Sequence, residues 1–463
     1  MSNLNKKVKP FGMADKLGYM FGDFGNDFTF ILSSTFLLKF YTDVMGVDAT
    51  IVGLMMMLSR IVDAFTDVGM GQICDRSKST AKGKFLPWIR RMCGPVAVAS
   101  FLMYATWFQD MPMAFKIFWM FFTYLLWGSV CYTGINIPYG SMASAISSEA
   151  KDRAELSSFR TIGATLASMV IGVVLPLIVY YTNESEHTVL SGQNMMYAAL
   201  ICSILAVVCY MICYRLTTER VKVAQTTGKF DLIGMIKYLV SNRALIGIVL
   251  AALMLLVSNL TLTGMGQYIY PNYFGNKAAL SVANMIVNCL VIGLSFIMAP
   301  IYAKFGKKEL STAGALISAA ALGVLYVLHT ESVVVWIALY IVVYLGMAMF
   351  NIGCWAMITD VIDDTEVRTG QRADGTIYAV YSFARKMGQA ASSGLTGVLL
   401  GFVGYSTATA FDKNVVDGIY DITCLVPLVG FVGLALALMF IYPLGKKKVE
   451  ENIDFLKKKR ENN

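Results

Sequence analysis

The sequence predicts an all-α membrane protein of twelve spans, arranged as two six-helix halves around a central cavity, and three observations predict it. Of its 463 residues 57% are hydrophobic and only 15% charged, where a soluble protein carries about a quarter charged residues. Apolar runs close to the ~20 residues that cross a bilayer recur from Phe28 to Tyr442. The longest internal polar break, "TTERVKVAQTTGKFDLIGMIKYLVSN", divides those runs six and six.

Taken in order, the spans read as 17–42, 50–74, 86–108, 114–145, 157–181, 194–215, 243–270, 279–304, 310–329, 333–359, 375–402 and 419–443. The implied domains are a first bundle over 1–216, a cytoplasmic linker over 217–242, a second bundle over 243–445 and a tail over 446–463. The opening "MSNLNKKVKPFGMADK" is polar and leads into a full span, so the first helix is expected to act as its own insertion signal. Lysine and arginine crowd one set of loops: "DRSKSTAKGKFLPWIRR", "SEAKDRAE", "RLTTERVKVAQTTGKF", "KFGKKE", "EVRTGQR" and the tail. The opposite side holds Lys39, Lys116, Lys277 and Lys413. That bias places both termini in the cytoplasm and accounts for most of the net charge of +8.

Several function classes drop out. The basic residues are spread over loops rather than gathered in a folded patch, so no nucleic-acid partner is expected. All nine cysteines fall in or beside spans and read as small reduced core residues. His187 and His329 lie near outer span ends, unsuited to a metal site or a mid-membrane proton relay. The stretch "AKGKFLPW" lacks the hydroxyl residue of a nucleotide-binding loop, which excludes ATP-driven transport. No nucleophile–base pair or metal-ligand cluster supports an enzyme, and no tightly bound cofactor is implied.

Charged residues inside spans are expensive and usually face a polar cavity. "SRIVDAFTDVGMG" sets Asp63 and Asp67 at i and i+4, with Thr66 beside them and Arg60 one turn earlier. Two carboxylates a turn apart repel unless a cation or a shared proton lies between them. Two carboxylates with the hydroxyls of Thr66 and Thr133 would suit sodium, and the same pair could share a proton. Either way the stretch reads as a coupling-cation site, with Asp63 and Asp67 the metal ligands if the ion is Na⁺. Further intramembrane charges are Asp23 and Asp27 on the first span, Arg160 on the fifth, and Arg385 and Lys386 on the eleventh. Near the inner end of span ten, Asp360, Asp363, Asp364 and Glu366 are expected to pair with Arg368, Arg372 or the basic loop carrying Lys151 and Arg153, as a cytoplasmic gate, a second ion site being the alternative. The basic turns "GQICDRSKSTAKGKFLPW" and "APIYAKFGKKE" recur at matching places in the two halves, the pattern of the major facilitator architecture with a substrate site between its halves.

The segments "YMFGDFGNDFTF", "SRIVDAFTDVGMG", "GKFLPW", "YTGINIPYGSM" and "GQRADGTIYAVYSFARKMGQA" follow one another along nearly the whole chain. Together they resemble the glycoside-pentoside-hexuronide:cation symporter family, and glucuronide carriers more than melibiose carriers. That resemblance implies import of a glycoside or uronide with Na⁺ or H⁺ by alternating access. It implies a multi-pass protein of the bacterial inner membrane, working as a monomer among membrane lipids with no required protein partner. It implies cation ligands at Asp63, Asp67, Thr66 and Thr133, and a sugar site drawn from Asp27, Asn136, Arg160, Tyr381, Arg385 and Lys386. The melibiose carriers stack sugar on two tryptophans where this chain has Gly140 and Asn351, so their sugar pose does not transfer. They also carry an aspartate at the position of Asn136 and an apolar residue at that of Arg385. Both changes move the local charge toward positive and favour an anionic sugar, a glucuronide or other hexuronide, with neutral xylosides and other glycosides the alternative. Two rivals are a lysolipid carrier, which would need a lipid-lined lateral opening, and a non-transporting sugar sensor, for which no signalling domain is present.

Overall fold

The structure, a computed structural model, describes residues 10–221, 234, 239–370 and 374–461. Helices dominate because an α-helix satisfies its own backbone polar groups where no water can. In the first half they are α1 (Met13–Asp43), α2 (Ala49–Arg76), α3 (Leu86–Leu102), α4 (Met113–Ile146), α5 (Lys151–Val179) and α6 (Gly192–Leu216). The second half has α7 (Arg243–Tyr273), α8 (Lys277–Phe305), α9 (Lys307–Leu328), α10 (Val333–Thr369), α11 (Asp374–Phe402) and α12 (Lys413–Ile441). Among the described residues nine of these runs are long and apolar enough to cross a membrane on composition alone. The others are α3, at 17 residues, and α1 and α11, which carry intramembrane charges.

Side-chain caps mark several starts: Ser191, Asn242 and Asn276 accept the backbone N–H of Asn194, Leu245 and Ala279. Gly306, at φ +91°, takes the single residue between α8 and α9 through a conformation that glycine adopts without strain.

Four features differ from the sequence expectation. The third span ends at Leu102, followed by a short 3-10 turn over Thr106–Phe108. The tenth is interrupted between Asn351 and Cys354 and runs on to Thr369. Between α5 and α6, β1 (Tyr180–Thr182) pairs with β2 (Thr188–Leu190). The basic tail forms α13 (Lys446–Glu461), with two buried positions at helical spacing: Asn452 and Leu456 are both buried and Asn452 donates to Asp364 at 3.1 Å.

The helices group into two compact units. One contains Met1–Asp48, Leu58–Tyr181 and Val189–Lys229; the other contains Ala49–Met57, Thr182–Thr188 and Phe230–Asn463. In the first, α1 packs along α5 and α6, and α3 along α6. In the second, α7 packs along α11 and α12, and α9 along α12. The packing scheme of the first six helices thus recurs in the second six. Close approach depends on missing side chains: a Cβ on Gly163 of α5 would meet the Met20 carbonyl of α1, and one on Gly314 of α9 the Gly346 carbonyl of α10.

The starts of α1 and α3 and the end of α4 in the first unit are fastened by residues 217–221, which follow α6. The Glu219 carboxylate accepts the N–H groups of Lys84, Phe85 and Leu86 at 2.7, 2.9 and 2.7 Å, satisfying amides at the start of α3 that have no partner within the helix. Next to it, Arg220 forks onto Asp15 of α1 at 3.1 and 2.8 Å, while its backbone N–H donates to Ala145 of α4. A stretch read as the start of a linker is therefore a clasp. Replacing Glu219 with Ala strands three amides, and unmade hydrogen bonds of this kind cost roughly 1–3 kcal/mol each when buried. The Glu219→Ala protein is expected to unfold several degrees below the parent in detergent, with Glu219→Gln in between. Unchanged melting of Glu219→Ala would show that the clasp does not hold the unit together.

Candidate functional site

The charged stretch of α2 faces α4. Asp63 is buried, 8% exposed, and accepts the Ser129 hydroxyl at 2.5 Å. One turn on, Asp67 accepts the Thr133 hydroxyl at 2.6 Å, and Thr133 also lies 3.1 Å from the Gly128 carbonyl. The two carboxylates and the two hydroxyls thus share one spacing, i and i+4, on facing helices. The match depends on the backbone of α4, which runs as a π-helix over Leu126–Tyr132 and widens just where Ser129 projects. It also depends on Gly128, since a Cβ there would stand 3.1 Å from a carboxylate oxygen of Asp63.

Arg60 completes the group. Its guanidinium is 3.7 Å from Asp63 and lies over the rings of Phe30, Tyr124 and Trp127, with centroids at 4.7, 5.9 and 5.9 Å. An aromatic box of this kind holds a cation away from water at lower cost. Thr66 takes a different course from its expected partners: its hydroxyl donates to the Asp63 carbonyl of its own helix at 3.1 Å. Among the described residues no group of three or more His, Cys, Asp or Glu is arranged for a metal. The oxygen donors offered here are two carboxylates and neighbouring hydroxyls, a set that fits a hard monovalent cation or a proton.

A second cluster lies on α1 and α5 of the same unit. Arg160 donates through Nε to Asp23 at 2.9 Å and lies over Tyr139 at 5.6 Å. Asp27, one turn beyond Asp23, is within electrostatic reach of both. Asn136 accepts from Asn26 at 3.4 Å, and Asn26 in turn accepts from Tyr210 at 2.8 Å. Sequence reasoning named Asp27, Arg160 and Asn136 for the sugar site; the structure gives Arg160 the partner Asp23.

In the second unit Arg385 lies over two rings, Trp355 at 5.6 Å and Tyr381 at 5.8 Å, and reaches the Tyr381 hydroxyl at 3.4 Å. Among the described residues no carboxylate pairs with Arg385. Lys386 follows it on α11, half-buried. Trp355, 47% exposed, escaped sequence reasoning, although it stands four residues after Asn351, just past the break in α10. Ser129 escaped as well, and the signal for it was the spacing to Thr133.

The acidic end of α10 pairs partly as expected. Asp360 binds Lys307 of α9 at 2.6 Å, a partner not anticipated. Asp364 binds Arg368 at 3.0 Å. Asp363 is half-buried beside them, Arg153 is exposed on α5, and Arg372 lies outside the described residues.

The Ser129–Asp63 bond carries a direct test. Ser129→Ala removes the short hydroxyl donor from a buried carboxylate, at a cost of roughly 1–3 kcal/mol. The variant is expected to melt below the parent in detergent, and Ser129→Thr, which keeps the hydroxyl, to recover part of the loss. Equal melting of Ser129→Ala and parent would mean that Asp63 does not depend on that hydroxyl.

A family model described as MFS/sugar transport protein matches residues 18–446. The glucuronide carrier protein homolog of Escherichia coli (strain K12) is 31% identical over 440 residues, covering 94% of this chain and 93% of that one. The isoprimeverose transporter of Lactiplantibacillus pentosus is 29% identical over 446 residues, covering 95% and 90%. Among solved structures, the inward-open xylose transporter XylE from Escherichia coli matches with a TM-score of 0.61 at 15% identity, over 96% of this chain and 98% of its own. That last likeness speaks for the fold alone. The chain belongs to the MFS/sugar transport protein family: it is a multi-pass sugar symporter with the major facilitator fold, and not an enzyme.

Proposed function

We propose that this symporter imports an anionic sugar, with a glucuronide or other hexuronide first, by alternating access coupled to one Na⁺ or H⁺ at Asp63 and Asp67. The observation that carries the coupling site is the match between the carboxylates of α2 and the hydroxyls of α4. The fold does not itself require those charges, since α8, the second helix of the other half, contains no acidic residue. Charges kept in one copy of a repeated unit and absent from the other answer to function rather than to packing. Thr66 lies beside the pair, and Arg60 steadies Asp63.

On the substrate side, Arg385 offers a planar fork that grips a carboxylate through two hydrogen bonds. The exposed indole of Trp355 offers a flat apolar face of the kind on which sugar rings stack. Tyr381 and Lys386 flank that pair on α11; Arg160, Asp27 and Asn136 form a polar cluster of their own within the first unit. The glucuronide carrier homolog among the relatives supports the anionic reading; the isoprimeverose transporter supports the runner-up, a neutral glycoside. Asp360 and Asp363 form part of a cytoplasmic gate. The chain works as a monomer in a bacterial inner membrane with both termini in the cytoplasm.

Two experiments in proteoliposomes test this. Asp63→Asn and Asp67→Asn are each expected to abolish accumulation against a gradient while counterflow of substrate partly survives. If both variants still concentrate sugar, the cation does not bind there. In competition assays the parent should prefer uronides to their matched neutral glycosides, and Arg385→Gln should narrow that preference about tenfold, the equivalent of one lost contact of about 1.4 kcal/mol. A parent that prefers the neutral sugars, with a ranking unaltered in Arg385→Gln, would return the substrate to the neutral class.

A further inference from the structure

The loop after α2, the start of α3 and the end of α6 line an open cavity of about 450 Å³ that the transport reading does not use. Lys82, Arg90 and Arg91 line it, with Thr80 and Tyr214. Two of the cations share one ring: the Lys82 ammonium is 5.5 Å and the Arg90 guanidinium 5.7 Å from the Tyr214 centroid. Arg91 lies over Trp88 at 6.0 Å. The loop that presents Lys82 is held in shape. Thr80 and Gly83 exchange both backbone hydrogen bonds, at 2.9 and 3.0 Å, closing a tight turn around Ala81 and Lys82. Gly83, at φ +113°, lies against the Glu219 carboxylate with no room for a side chain.

Such a gathering of positive charge is unfavourable unless something negative meets it. The start of a helix already carries a partial positive charge, so Arg90 and Arg91, early in α3, add to an unfavourable potential. The nearest described carboxylate, Glu219, is committed to the three α3 amides. Among the described residues no carboxylate pairs with Lys82, Arg90 or Arg91. The cavity lies at the start of α3, among the basic loops. Basic recesses between helices on that side attract anionic headgroups, each nearby cation contributing about 1 kcal/mol.

We propose that this cavity binds a phosphate group. Lys82, Arg90 and Arg91 supply its counter-charge, the Tyr214 hydroxyl donates a hydrogen bond, and occupancy ties the loop after α2 to the ends of α3 and α6. An anionic phospholipid of the inner leaflet and free phosphate carry the same chemistry, and separate arms of the experiment distinguish them.

The full-length protein is placed in nanodiscs of phosphatidylcholine, and its unfolding temperature is followed in two titrations. One raises the fraction of phosphatidylglycerol; the other adds inorganic phosphate to pure phosphatidylcholine discs, with ionic strength held by chloride. A ligand that binds only the folded state raises the midpoint saturably. A saturable rise in the first arm identifies a lipid headgroup, and one in the second identifies free phosphate. The shift should vanish in a Lys82→Gln, Arg90→Gln, Arg91→Gln triple variant. It should persist in a control with the same loss of charge at Lys457, Lys458 and Lys459. The single exposed change Arg91→Gln, which is expected to weaken apparent affinity about tenfold, decides the matter should the triple variant fail to fold. No rise in either arm, or an equal rise in the parent and the cavity variants, would overturn the site.

Discussion

Charge inside a membrane has to be answered at close range, and the arrangement of this protein follows from that requirement. Water is too far away to solvate a buried carboxylate, so each one must find a donor, a cation or a proton on a neighbouring helix. Asp63 finds Ser129 and Arg60, Asp67 finds Thr133, Asp23 finds Arg160, and Lys39 finds Asp43 at 2.9 Å. These pairings fix which faces of α1, α2, α4 and α5 meet. Apolar packing alone could not do so, because lipid tails compete equally well for a leucine. Replacing a partner therefore does more than delete a bond: it leaves a buried charge less well answered.

The recurrence of one packing scheme in both units makes the differences between them informative. The contacts of α1 with α5 and α6 and of α3 with α6 return as α7 with α11 and α12 and α9 with α12. Within that shared frame the first unit concentrates carboxylates on α1 and α2, while the second places Arg385 and Lys386 on α11 and an aromatic surface on Trp355, Tyr378 and Tyr381. A duplicated scaffold thus carries two chemistries, acidic in one copy and basic-aromatic in the other.

Much of this was legible in the sequence, for physical reasons that differ by element. The twelve helices were visible because a span must be long, apolar and bounded by polar loops, and each of those demands marks the composition directly. Asp63 and Asp67 stood out because a carboxylate in an apolar run is costly wherever it points. Ser129 did not, since a hydroxyl in a helix is cheap and usually bonds its own backbone, as Thr66 does. Its role depends on the π-helical stretch over Leu126–Tyr132, a backbone irregularity with no composition of its own. Asp360 was given a different partner, since its bond to Lys307 of α9 joins residues 53 apart and no spacing announces it. The amphipathic α13 was masked by its lysines, which dominate the composition while Asn452 and Leu456 mark the buried face.

The clasp formed by Glu219 and Arg220 also has a meaning in time. A chain enters the membrane from its N-terminus, and domains tend to complete as units during synthesis. Asp15 meets Arg220 across a separation of 205 residues, and the amides at the start of α3 wait for a glutamate more than a hundred residues further on. Neither need can be met until the sixth helix has been made and the chain has come back to the end where α1 and α3 begin. The first half of the transporter is therefore sealed by the last residues that leave it, so an N-terminal bundle stays unlocked until all six of its helices have been delivered.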